Sequence, residues 1–121
     1  MNARLILVVE DERLIARDIT MQLRELGHTP LGPANTGEQA IEMANLLRPD
    51  LVLMDVHLGS AMDGISAAME IREKLGTPVV FLSAFNTAES LARAKKAEPA
   101  GYLSKPFMEY ELSDMIKSIF P

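Results

Sequence analysis

Residues 5–11 have the sequence LILVVED, in which five consecutive apolar residues are followed directly by two acidic ones. A short apolar run without polar alternation is typical of a strand that is buried on both faces of a parallel sheet. Glu10 and Asp11 then come where this strand leaves the core. In open α/β sheets, ligands bind beyond the carboxyl ends of the strands, so a functional site is expected at this position.

The rest of the chain repeats the order of a strand followed by a helix. The predicted strands cover residues 5–9, 29–32, 51–54, 78–82 and 101–104. The predicted helices cover residues 12–26, 36–47, 63–75, 86–97 and 107–120. Thr36 and Gln39 form a capping box at the start of the second helix, whose buried face is predicted to include Leu47. Leu91 is the only large aliphatic residue of the fourth helix, which is therefore the weakest of the five.

This alternation predicts a parallel sheet with helices on both faces. Right-handed crossovers make it a flavodoxin-like, doubly wound α/β fold of three layers, with five strands in the order 2-1-3-4-5 and five helices. Pro30 and Pro33 suit only a strand at the sheet edge, which fits the second strand. Residues 1–121 are expected to form one domain, because 121 residues is a usual size for a single domain.

The composition excludes several classes of protein. The chain is 48% hydrophobic and 24% charged, as in globular domains, and it has no apolar run near the ~20 residues of a membrane span. It contains no cysteine, which excludes a disulfide framework and a thiolate zinc site and fits a cytoplasmic location. A net charge of −5, with 5% aromatic residues and no Trp, argues against direct nucleic-acid binding.

Reactive side chains follow the other strands at the same sheet edge. Asp55 follows the third strand, Ser83 the fourth and Lys105 the fifth. Each alone has an ordinary explanation as a cap, turn or solvated residue. Together with the acids at 10–11 they bring three carboxylates close, at a cost on the order of a few kcal/mol per pair at an effective dielectric of ~20. A divalent cation removes that cost, and all-oxygen ligation suits Mg²⁺ beside a phosphoryl group.

In this pattern the chain resembles the receiver domain of two-component response regulators, including the chemotaxis regulators. The shared motifs are the acidic pair at 10–11, Asp55, the Ser-Ala pair at 83–84 and the Lys-Pro pair at 105–106. The spacings also match: the second acid, Asp55, the serine and the lysine are 44, 28 and 22 residues apart in turn, from 55−11, 83−55 and 105−83. The resemblance covers nearly the whole chain.

The resemblance implies a role for each motif residue. Asp55 would accept a phosphoryl group from the phosphohistidine of a sensor histidine kinase or a phosphotransfer protein. The side chains of Glu10, Asp11 and Asp55, with the backbone carbonyl of His57, would hold Mg²⁺. Lys105 would pair with Asp55 and then with the phosphoryl oxygens.

The resemblance also implies a switch. Ser83 would hydrogen-bond the phosphoryl group and draw its loop inward. Tyr102 stands at the aromatic switch position, with ordinary packing as the alternative explanation. The helix 86–97, anchored chiefly by Leu91 and small alanines, is the expected bistable element, and it would form the output face with the fifth strand and the last helix. The Lys105–Pro106 bond is a candidate cis peptide, because proline lowers the cost of the cis form to ~0.5–1 kcal/mol.

Two positions depart from the family pattern. Gly59 replaces the proline that many receivers have four places after the acceptor, which predicts a more mobile loop. Phe85 is bulky where many members have a small or polar residue, so it would narrow access to the acyl phosphate and affect self-dephosphorylation. His57 lies where side chains in the family influence acyl-phosphate lifetime, but simple solvent exposure explains it equally well.

The sequence is thus interpreted as a signalling receiver that assists its own phosphorylation and dephosphorylation, rather than a turnover enzyme. One alternative is a pseudo-receiver that binds partners without phosphorylation. A second is a small Mg²⁺-dependent phosphohydrolase with Asp55 as nucleophile, although His57 stands where a general acid would be needed. The chain is either a stand-alone regulator or part of a larger one. The downstream partner or output domain, and a phosphorylation-dependent dimer, stay open.

Overall fold

The computed structural model describes residues 3–59, 61–83 and 88–121. The elements are β1(Leu5–Val9), α1(Arg13–Glu25), β2(Thr29–Ala34), α2(Gly37–Leu47), β3(Leu51–Asp55), α3(Gly64–Leu75), β4(Val79–Ser83), α4(Ala88–Lys96), β5(Gly101–Ser104) and α5(Glu109–Ile119). The predicted order of elements is therefore confirmed. The predicted start of the fourth helix, Asn86, lies outside the described residues.

The five strands form one parallel sheet in the order β2-β1-β3-β4-β5, as predicted. The register aligns the carboxyl ends of the central strands. Val9 of β1 pairs with Met54 of β3, and Asp55 pairs with Leu82 of β4. Residues that end or directly follow these strands are thereby brought to one edge of the sheet.

The core consists of two apolar layers, one on each face of the sheet. Alternate residues of the central strands point to opposite faces, so that Val52 and Leu53 belong to different layers. One layer contains buried residues of α2, α3 and α4, and the other contains buried residues of α1 and α5. This confirms the predicted three-layer α/β/α architecture.

The start of α2 is capped nearly as predicted. The backbone N–H of Gln39 donates to Oγ1 of Thr36 at 3.0 Å. The Gln39 side chain accepts a hydrogen bond from the N–H of Asn35 at 2.7 Å, whereas in a capping box it would accept one from the N–H of Thr36. The prediction for Leu47 is wrong: this residue is 43% exposed because α2 ends there and Arg48 turns the chain in the left-handed conformation. Ile41 packs against the core from this helix instead.

The anchor of α4 was predicted to be Leu91 together with small alanines, and of these the structure confirms an alanine. Ala94 is fully buried, whereas Leu91 is only partly buried and, among the described residues, belongs to neither apolar layer. Because α4 runs back from the carboxyl ends of the strands, Leu91 lies one turn closer to the sheet edge, where less of the core covers it. An alanine that is fully covered thus holds this helix to the sheet.

Two further features are the cis peptide bonds before proline and the character of the helices. The Lys105–Pro106 peptide bond is cis, as the resemblance suggested, and the Gly32–Pro33 bond is cis as well. Across the parts of the chain that the structure describes, no helix combines the length and apolar character that crossing a bilayer requires.

Candidate functional site

Three carboxylates meet at the carboxyl edge of β1 and β3. Glu10, Asp11 and Asp55 each contribute one oxygen to a group in which all the oxygens lie within 4.8 Å of one another. Glu10 and Asp55 are buried and Asp11 is exposed. Oxygens on opposite sides of an Mg²⁺ ion are about 4.2 Å apart, so this group has the donors and nearly the dimensions of a magnesium site. The structure thus brings together the three side chains that the sequence singled out.

Lys105 joins this group from the end of β5. Its Nζ donates a hydrogen bond to Oε1 of Glu10 and a second one, at 3.2 Å, to Oδ2 of Asp55. The Lys105 backbone N–H also donates to the carbonyl of Ser83 at 2.9 Å, which ties β5 to β4 at this edge. The sequence pointed to the pairing with Asp55 and missed the pairing with Glu10. The pairing could have been predicted from the general rule that a buried carboxylate needs a hydrogen-bond or ion-pair partner.

Burial changes the ionisation of this group. Desolvation raises the pKa of Glu10 to about 7, and the neighbouring Asp55 charge acts in the same direction. The hydrogen bonds from Lys105 and from the N–H of Glu12, at 3.1 Å, oppose this rise. For Lys105, burial lowers the pKa, but the hydrogen bond to Glu10 and the charges of Asp55 and Glu10 outweigh it and leave the pKa above its usual range. The site therefore keeps its ammonium group at neutral pH, and a bound cation would favour the ionised form of Glu10.

Backbone N–H groups of the loop between β3 and α3 bind two of the carboxylates. The N–H of His57 donates to Oδ1 of Asp55 at 3.1 Å, and the N–H of Gly59 donates to Oδ2 of Asp11 at 3.0 Å. A proline at position 59 could not make the second bond, because it has no N–H. Having Gly59 in place of the family's proline thus allows a hydrogen bond to Asp11 that proline would not make. The role of the His57 carbonyl as a metal ligand stays a prediction, and its side chain is exposed.

The two expected switch residues lie on β4 and β5. Ser83 ends β4, is only 3% exposed and pairs in register with Ser104. Tyr102 is partly buried, which raises the pKa of its phenol, and its ring lies 6.5 Å from that of Phe81 at an angle of 36°. This contact is the packing that the sequence offered as an alternative, and the switch role stays a prediction. Phe85 lies outside the described residues.

Two neighbours of the site escaped the sequence interpretation. A Cβ at Gly64 would lie 2.0 Å from the backbone oxygen of Asp55, so only glycine allows α3 to begin this close to the site. Asp63 accepts a hydrogen bond from the N–H of Ser66 at 2.9 Å and pairs at 2.6 Å with Arg93 of α4. The Asp-Gly pair at 63–64 marked a helix start, but no local pattern indicated an ion pair between residues 30 positions apart.

Comparison with known proteins points in one direction. The family model of the response regulator receiver domain matches residues 6–117. The transcriptional regulatory protein PdtaR of Mycobacterium tuberculosis is 44% identical over 116 residues, which make up 96% of this chain and 55% of that protein. The chain therefore spans about half the length of this curated relative.

Solved structures agree with the family match. The signal receiver domain of a modulated diguanylate cyclase from Desulfovibrio desulfuricans G20 superimposes with a TM-score of 0.91 at 36% identity, covering 97% of this chain and 93% of that one. The receiver domain of the sensor histidine kinase PA1611 from Pseudomonas aeruginosa PAO1 gives a TM-score of 0.87 at 32% identity, with 97% of each chain covered. That second structure is described with a magnesium ion coordinated in its active site cleft.

Proposed function

This chain belongs to the family of response regulator receiver domains, and we propose that it accepts a phosphoryl group on Asp55 in a reaction that requires Mg²⁺. The observation that carries the proposal is the convergence of Glu10, Asp11 and Asp55 within 4.8 Å, with the ammonium group of Lys105 bonded to two of them. A buried acidic group of this kind is electrostatically costly unless it serves a cation or a charged reactant.

The residues divide the work of transfer between binding and charge neutralisation. Glu10, Asp11 and Asp55, with the backbone carbonyl of His57, would hold Mg²⁺, which when bound neutralises charge on the phosphoryl oxygens. An oxygen of Asp55 forms a bond to phosphorus as the bond from phosphorus to the donor nitrogen breaks. The electron pair of the broken bond stays with the donor nitrogen. A protein promotes phosphoryl transfer mainly by positioning the reacting groups and by neutralising their negative charge.

Lys105 and Ser83 would respond to the new group. Phosphorylation adds about −1.5 to −2 charges at the pocket. Lys105 already contacts Asp55 at 3.2 Å and can transfer a hydrogen bond to a phosphoryl oxygen. Ser83, at the end of β4 next to the site, would donate a hydrogen bond to a second phosphoryl oxygen. Tyr102 on the neighbouring strand would then change its packing. Helix α4 would then shift.

The proposed partners follow from this chemistry. The donor would be a sensor histidine kinase or a phosphotransfer protein, and the output a change in partner binding or in a fused output domain. Receiver domains are signalling modules, so the chemistry would end at the protein's own phosphorylation and dephosphorylation. We further propose that residues 1–121 act as one receiver domain in the cytoplasm.

Acetyl phosphate tests the proposal without an identified kinase. We expect the intact protein, incubated with acetyl phosphate and Mg²⁺, to gain the mass of one phosphoryl group. Asp55→Asn should gain none, because the amide is not a nucleophile for phosphorus, and chelation of Mg²⁺ should abolish the gain in the native chain. Asp18→Asn is the matched control: Asp18 is an exposed residue of α1 whose carboxylate accepts from Gln22 at 3.1 Å.

The same assay separates the alternatives. An equal mass gain in Asp55→Asn would contradict the assignment of the acceptor. A native chain that gains no mass and binds no Mg²⁺ would instead be a pseudo-receiver. Repeated turnover of p-nitrophenyl phosphate by the native chain would favour the phosphohydrolase.

A further inference from the structure

A groove with a volume of about 1150 Å³ runs along α1 on the side of the edge strand β2. Its lining includes three arginines, Arg13, Arg17 and Arg24, each of which is exposed. At 100° per residue these three positions fall within about 40° of one another, so they form a single stripe along the helix. The stripe is about 16 Å long, from eleven residues at 1.5 Å each.

The arginine stripe, meaning Arg13, Arg17 and Arg24, is solvent-exposed. None of the three makes an ion pair in residues 3–59, 61–83 or 88–121. The acidic residues that line the groove are Glu10 and Asp11, and both lie at the end of the groove next to the start of α1. Glu10 is already bonded to Lys105, and Asp11 accepts from Gly59. The rest of the groove, towards Arg24, is positively charged in a protein whose net charge is −5.

We propose that this groove binds an extended acidic segment of a partner protein. Three guanidinium groups in a row match carboxylates spaced along a chain, and about 16 Å corresponds to roughly five residues of extended polypeptide. The described residues that line the groove include no aromatic side chain on which bases could stack, and the overall negative charge opposes binding of a long nucleic acid. The surface is separate from the output face formed by α4, β5 and α5, and the proposal does not depend on phosphorylation.

Nuclear magnetic resonance can test the proposal with a decaglutamate peptide as the probe. We expect titration of the ¹⁵N-labelled chain at low ionic strength to shift the amide signals of α1 and of Asn35, which also lines the groove. Signals of α4 should stay in place. Raising the salt concentration to about 0.2 M should weaken binding, because exposed ion pairs are screened over a Debye length. Shifts spread evenly over the molecule, or confined to other surfaces, would overturn the proposal.

A matched pair of variants separates the groove from net charge. The triple variant Arg13→Gln, Arg17→Gln and Arg24→Gln should bind the peptide at least about tenfold more weakly, as expected for three exposed ion pairs. The control triple Lys95→Gln, Lys96→Gln and Lys117→Gln removes the same charge from other exposed positions and should bind as the native chain does.

Three results would overturn the proposal: equal binding by the arginine triple, an equal loss in the lysine triple, or equally tight binding of a thymidine oligonucleotide at the groove. If the arginine triple lacks the native circular dichroism spectrum, the single variant Arg17→Glu decides. It should weaken binding severalfold while keeping that spectrum, and unchanged binding in this variant would count against the groove.

Discussion

Helices α3 and α4 pack on the same face of the sheet but are held there in different ways. α3 has twelve residues, of which five are buried, and it is capped at both ends. Asp63 accepts from the N–H of Ser66 at its start, and Gly76 turns left-handed at its end, where its N–H donates to the carbonyl of Arg72. α4 has nine residues, and among them Ala94 is the one that is buried. Burial therefore fixes α3, whereas α4 has little of it.

Two ion pairs add to the few buried contacts that hold α4 and the segment after it. Arg93 pairs with Asp63 at 2.6 Å, and Arg72 of α3 pairs with Glu98 at 2.6 Å. These side chains are largely exposed, and exposed ion pairs contribute little to stability. From this contrast we expect a change at the site to move α4 more readily than α3. In the order of the elements α4 follows β4, whose last residue is Ser83, and we expect α4 to be the element that a phosphoryl group shifts.

The largest expected effect comes from removing one apolar side chain from each helix. Ile71→Ala should lower the free energy of unfolding by about 3 kcal/mol, because Ile71 is 1% exposed and its loss leaves a cavity. Leu91→Ala should cost less than about 1 kcal/mol, because Leu91 is only partly buried. Urea denaturation followed by circular dichroism measures both values.

Met69→Ala serves as the control on α3, because Met69 is 47% exposed and its removal should change stability little. The comparison breaks down if Leu91→Ala proves as costly as Ile71→Ala. Such a result would mean that Leu91 contributes as much to anchoring α4 as a fully buried residue does.

A smaller effect is expected from the ion pair between the helices. Arg93→Gln removes the contact with Asp63 while leaving the apolar contacts of α4 intact. We expect the amides of α4 to exchange hydrogen about two- to fivefold faster and those of α3 to stay unchanged, with the native difference shrinking in ~1 M salt. Hydrogen exchange with mass spectrometry measures both helices in one experiment.

Lys74→Gln is the matched control, because it breaks a pair with Glu70 at 3.1 Å that lies within α3. It should leave exchange in α4 as it is in the native chain. Faster exchange in α4 after this substitution would show that general charge, and not the contact with Asp63, governs the helix.

The sequence predicted most of the site because strand ends are readable. An apolar run that stops at Glu10 or before Lys105 marks where the chain leaves the core, and parallel strands bring those ends to one edge. The pairing of Lys105 with Glu10 depends on side-chain geometry within that edge, so sequence reasoning named only Asp55. The exposure of Leu47 and the small share of Leu91 in the core could not be predicted, because helical periodicity says which face is apolar but not how far the sheet extends beneath it.

The contact between Asp63 and Arg93 was missed for a similar reason. It joins residues on two different helices whose relative placement no local pattern specifies. The same limit applies to the arginine stripe, whose spacing is visible in the sequence but whose groove exists only once β2 lies beside α1.

The switch is tested most directly by hydrogen exchange before and after addition of beryllofluoride with Mg²⁺, which together imitate the phosphorylated aspartate. We expect altered exchange in α4 and β5 and unaltered exchange in α3. Asp55→Asn should show no response. Ser83→Ala should still gain a phosphoryl group from acetyl phosphate but show no response in α4. Equal changes in α3 and α4, or the native response in either variant, would contradict this expectation.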